Sequence, residues 1–115
     1  MNQLEQQLLD ESTGGTTVRL SVQTKTRIDA GRWWRNAPVW LCLTDEEVIL
    51  LAVGRRQYLE RIAIADCPRT HYNHASGELV LEPTETILHQ RLKLPPSEAL
   101  KILDHFKSKH STLNT

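Results

Sequence analysis

The chain is predicted to be mainly β with α+β character. Seven antiparallel strands form a bent sandwich or partly open barrel, capped by a C-terminal α-helix, with a short helix at the N-terminus. Three observations carry this prediction. Apolar segments alternate with short turn-forming clusters along most of the chain. The segment 17–30 has strict two-residue periodicity. The chain then closes on one stripe of apolar residues at helical spacing.

Taken in order, residues 2–11 form the first helix, with Leu4 and Leu8 one turn apart and Leu9 beside them. The turn residues Gly14 and Gly15 end it. A helix this short is marginal alone and needs a docking surface. Residues 17–30 form the first strand. Val18, Leu20, Val22 and Ile28 share one face, and Arg19, Ser21, Gln23, Lys25 and Arg27 take the wet face. Residues 31–38 form a loop. Residues 39–43 and 48–53 form an antiparallel hairpin around an acidic turn, Asp45, Glu46 and Glu47, and both of its strands are apolar on both faces. Residues 57–64 form the fourth strand, with Tyr58, Ile62 and Ile64 inward, and Pro68 marks a corner. Residues 69–74 and 78–82 form a second hairpin through Gly77, and residues 86–94 supply the seventh strand. Pro95 and Pro96 open the last helix, whose stripe is Ala99, Ile102, Leu103 and Phe106. Residues 1–16 are thus a helix and linker, 17–110 one folded domain and 111–115 a frayed tail.

The bulk numbers fit one soluble domain. At 115 residues, with 39% apolar and 24% charged residues, the chain can bury one core without staples. Fourteen basic and 14 acidic residues cancel, which removes any global attraction to nucleic acid and leaves only local patches. Two cysteines, Cys42 and Cys67, lack a Cys-x-x-Cys spacing and read as buried thiols in a reducing compartment, with a disulfide between them as the alternative. No apolar run reaches membrane-spanning length, and the polar start does not resemble a signal peptide. The expected location is cytoplasmic, with peripheral contact to the inner face of the membrane as an extension of that reading.

The element order resembles the pleckstrin-homology-like (PH/GRAM-like) superfamily, and more its bacterial PH-like branch than the signalling domains. The residues that carry the resemblance are 40–52 (WLCLTDEEVILLA), 60–66 (ERIAIAD), 71–81 (HYNHASGELVL) and 92–103 (LKLPPSEALKIL). The last helix offers Phe106 where many eukaryotic members carry a tryptophan. The resemblance implies a non-catalytic binding or scaffolding module. In that family the loop between the first two strands often grips phosphorylated lipid headgroups through a basic motif. Lys25, Arg32 and Arg35 match that motif loosely, because Arg32 and Arg35 are three apart rather than alternating.

The same loop is the sharpest functional candidate on residue chemistry alone. Arg32, Trp33, Trp34 and Arg35 place two of the three tryptophans and two arginines together. Tryptophan joins an apolar body to a polar N–H, and arginine presents a planar donor fork to phosphate or carboxylate. Lys25 and Arg27 extend the same cationic surface. These six residues are the predicted partner-binding set. The bland alternative is one tryptophan folded onto the sandwich and solvated arginines. Trp40, by contrast, reads as a core residue whose N–H needs a partner.

Catalytic and metal readings are weaker. His71 and His74 fall on opposite faces of a strand, and no ligand spacing completes them, so no metal and no cofactor is expected. Asp66, Cys67 and His71 lack an activated nucleophile or oxyanion site, so the chain is read as no enzyme. The expected partner is another protein or a second copy, with sheet-edge pairing as a cheap route to the latter. An anionic membrane surface is the alternative partner, and nucleic acid is disfavoured.

Overall fold

The computed structural model describes residues 1–29, 36–54, 57–81 and 91–113. Their order is α1 (Gln3–Thr13), β1 (Leu20–Asp29), β2 (Asn36–Leu43), β3 (Glu47–Val53), β4 (Gln57–Ala63), a 3-10 turn (Ile64–Asp66), β5 (His71–Asn73), β6 (Glu78–Val80), β7 (Arg91–Lys93) and α2 (Pro96–Leu113). The described strands form two antiparallel sheets, one of order β1-β2-β3-β4 and one of order β5-β6-β7. They do not close into a barrel.

Two apolar layers sit on opposite faces of the four-stranded sheet. On the inner face, Val39, Leu41 and Leu43 of β2 and Val48, Leu50 and Ala52 of β3 meet Leu79, Leu81, Leu92 and Leu94 from the second sheet and its flanks. Ala99, Ile102 and Phe106 of α2 seal this core, as the predicted stripe requires, and Leu103 packs at its margin. On the outer face, Cys42, Ile49 and Leu51 are covered by Leu8 and Leu9 of α1. This second layer is why β2 and β3 are apolar on both parities: a strand covered on both sides has no wet face.

The join between the sheets lies in β1. Gln23 pairs with Trp40 and Arg27 with Pro38, so Thr24, Lys25 and Thr26 stand opposite Val39 alone. Such a bulge bends the strand and re-aims its side chains. Buried Thr24 donates its hydroxyl to the Val39 carbonyl at 2.7 Å, and Thr26 Oγ1 accepts the Lys93 N–H at 2.8 Å. The hydroxyls replace ladder bonds that the bulge disrupts, and they tie β1 to β7.

Several boundaries differ from expectation. α1 runs through Ser12 and Thr13 because Asn2 caps its start and Gly14, at φ +60°, caps its end. Val18 packs in the outer layer beneath α1, not on the inner face with Leu20. β2 begins at Asn36, well before the expected start at 39, and Pro38 is accommodated within the paired register. Ile64 leaves β4 for the 3-10 turn, while β5 and β6 shorten to three residues each. α2 continues to Leu113, through residues expected to fray. Of the seventh expected strand, residues 86–90 lie outside the described residues. Cys42 and Cys67 are buried thiols without a disulfide.

Candidate functional site

The six residues expected to bind a partner divide in two. Arg32, Trp33, Trp34 and Arg35 lie outside the described residues. Lys25 and Arg27 are both exposed on β1, as expected from their parity. Arg27 pairs in register with Pro38, which lines a groove that the sequence reading does not anticipate.

This groove, of about 420 Å³, opens between the start of α1 and the outer face of β1, β2 and β3. Pro38, Trp40 and Val53 give it an apolar floor, and Asn2, Glu5 and Gln23 give it polar walls. Its volume falls in the range of ordinary ligand pockets, about 300–1,000 Å³. Trp40 is half-buried rather than a core residue, because its parity on β2 places it outward, at the edge of the α1 layer. Part of its surface therefore lines the groove.

A local device holds the indole in place. Asn2 caps α1 by accepting the Glu5 N–H at 2.8 Å, and Glu5 Oε1 accepts the Asn2 N–H at 2.9 Å. The two bonds form a reciprocal capping box. The other carboxylate oxygen of Glu5 accepts the Trp40 Nε1–H at 2.7 Å. Glu5 is 4% exposed. A buried carboxylate needs such donors. One side chain thus caps α1, docks it on the sheet and orients Trp40.

The groove's sequence signal is partly legible. The Asn2-x-x-Glu5 spacing announces a capping box. The bond from Glu5 to Trp40 spans 35 residues and has no local signature. Gln23, Pro38 and Val53 carry no signal of their own.

The residues weighed for catalysis and metal binding have the following surroundings. Burial first, and then the Asp66 charge, push the Cys67 thiol up to about 11, so it stays protonated where a nucleophilic thiol would need to ionise. Burial likewise pushes the Cys42 thiol up. His71 donates through Nδ1 to the Arg69 carbonyl at 2.9 Å. His74 lies in the turn after β5, its ring edge-on to Tyr72 at 4.9 Å between centroids. Among the described residues no group of three or more His, Cys, Asp or Glu side chains is placed to hold a metal ion. Among them, too, no helix is long and apolar enough to cross a membrane. No protein-family model, curated protein or solved structure matches the chain.

Proposed function

We propose that the protein is a non-catalytic binding module of PH-like architecture that docks a segment of another protein. Its working surface is the groove beside α1, together with Lys25, Arg27 and the following Arg32, Trp33, Trp34 and Arg35. The observation that carries this reading is the pinned, half-exposed Trp40 at the floor of an open groove, with exposed cations on the strand alongside. Tryptophan and arginine are preferred interface anchors, and an indole already fixed by Glu5 loses little freedom on binding. Lys25 is exposed, which leaves its ammonium within reach of a ligand carboxylate. The fitting partner is an acidic peptide segment with one apolar anchor for the Trp40 floor. Support for the PH-like reading comes from the order of strands followed by one sealing helix.

The test is selection from a displayed library of random peptides, followed by calorimetry on the enriched sequences. Acidic sequences with an apolar anchor should be enriched and should bind in a salt-sensitive way. The double variant Lys25→Glu with Arg27→Glu, both at exposed positions, should weaken binding at least tenfold. No enrichment, or binding indifferent to that variant, refutes the reading. Vesicles of phosphatidylcholine with and without phosphatidylserine serve as the second arm. Salt-sensitive sedimentation with the anionic vesicles alone would move the assignment to a membrane surface.

A further inference from the structure

The edge of the four-stranded sheet carries a separate surface. β4 ends the strand order of its sheet. The Ile64 N–H donates to the Glu46 carbonyl at 2.8 Å, in line with the β3–β4 register in which Glu47 faces Ala63. Hydrogen-bonded pairs alternate along an antiparallel ladder. Tyr58, Glu60 and Ile62 therefore bond to β3, while the N–H and C=O groups of Gln57, Leu59, Arg61 and Ala63 point away from it. No further described strand lies beside them. All four residues are exposed, including Leu59 at 38%. The edge has no proline, no bulge and a regular register throughout. A regular edge of this kind is a template for another strand.

We propose that a second copy of this chain pairs with this edge, β4 to β4, antiparallel about a two-fold axis centred on Leu59. The sequence of the edge suits that occupant and favours that register over shifts toward its charged end. With Leu59 facing itself, Gln57 faces Arg61 of the second copy and Tyr58 faces its Glu60. This sets an apolar pair on the axis, flanked on the same outer face by amide and guanidinium. Shifting the centre to Glu60 opposes Leu59 to Arg61, and shifting it to Arg61 opposes two guanidinium groups. Like charges directly opposite are destabilising. Three facing positions each exchange two bonds, giving about six inter-chain backbone hydrogen bonds. On that same outer face Arg61 holds Glu47 of its own β3, at 2.6 and 3.1 Å, which fixes the guanidinium beside the seam. The pairing extends the protein-contact reading to a second copy, at a surface other than the groove, and holds whether or not the groove takes a peptide.

Mass measured by light scattering across micromolar to millimolar protein should rise from monomer to dimer. Leu59→Lys, which opposes two ammonium groups on the axis, should raise the dissociation constant at least tenfold. Circular dichroism of that variant checks that the monomer stays folded. Cysteine substitution reads the register independently of stability, since hydrogen-bonded pairs place Cα atoms about 5.5 Å apart, within disulfide reach. Leu59→Cys should cross-link on mild oxidation. Gln57→Cys and Arg61→Cys should not cross-link singly and should do so when mixed. The native thiols are buried and do not compete. The Lys25→Glu, Arg27→Glu variant should dimerise normally, which separates failure of the groove from failure of the edge. A monomer at every concentration, or cross-linking that follows another register, overturns the proposal.

Discussion

Replacing Glu5 with alanine removes the clamp that joins α1 to the sheet. The carboxylate takes the Asn2 N–H at 2.9 Å and the Trp40 N–H at 2.7 Å, so both donors lose their partner. Asn2 still caps the N–H of residue 5, so the losses are the reciprocal bond from the Asn2 N–H, about 1 kcal/mol, and the Trp40 bond to a charged acceptor, about 1.5–3 kcal/mol. The two losses share one side chain and are not additive, which leaves about 2 kcal/mol. That loss falls on the docking of α1 and not on the inner core, because the two apolar layers are separated by the sheet. The assay is labelling of the two native thiols by a thiol-specific reagent, resolved by mass spectrometry. Cys42 lies in the layer under α1 and Cys67 in the inner core. If α1 opens on its own, an opening made easier by about 2 kcal/mol raises Cys42 labelling about 30-fold and leaves Cys67 unchanged. Equal acceleration of both thiols would refute the reasoning, since it would mean that α1 detaches only when the whole domain unfolds.

Other consequences follow from the same contacts. Gly14→Ala forces a side chain into φ +60°; nothing lies within 4 Å of the new Cβ, so the loss of about 1 kcal/mol in denaturant titration is purely conformational. Thr24→Val deprives the buried Val39 carbonyl of its donor and should cost about 1–3 kcal/mol. Thr26→Val should speed hydrogen exchange at the Lys93 amide while leaving β2–β3 amides protected. Alkaline pH should destabilise the fold. Cys67 keeps its proton when folded, up to about 11, while the unfolded thiol titrates near 9.0, so stability falls as pH rises between those values. In thermal melts Cys67→Ser should flatten that decline. A decline of unchanged size in the variant would assign it to other groups.

The parts of the fold that were legible in the sequence are those with a local cause. Strict alternation marks β1, and the stripe of Ala99, Ile102 and Phe106 marks α2, because each pattern reports the face its own element buries. The double apolar parity of β2 and β3 signals cover on both faces, and Leu8 and Leu9 supply the outer cover. The bulge was not legible, because Thr24 and Thr26 are ordinary β-formers whose hydroxyl partners sit on other strands. The half-exposed position of Trp40 is hidden in the sequence for a related reason. An apolar strand does not reveal which of its two layers is thin, and the outer layer ends at the margin of an 11-residue helix. Of the expected binding set, the exposure of Lys25 and Arg27 followed from parity. The groove beside them did not, because it exists only where α1 stops short of covering the sheet.

At the outer face of the four-stranded sheet a short clamped helix leaves an oriented indole beside the strand that carries Lys25 and Arg27. The measurement that tests this arrangement most directly is a nuclear magnetic resonance titration of the labelled protein with a pool of acidic peptides carrying one apolar anchor. The account predicts that the Trp40 indole N–H and the amides of Gln23 and Lys25 shift together and saturate, while the amides of β5 and β6 stay still. Saturable shifts confined to β5, β6 or α2, or none at all, would contradict it.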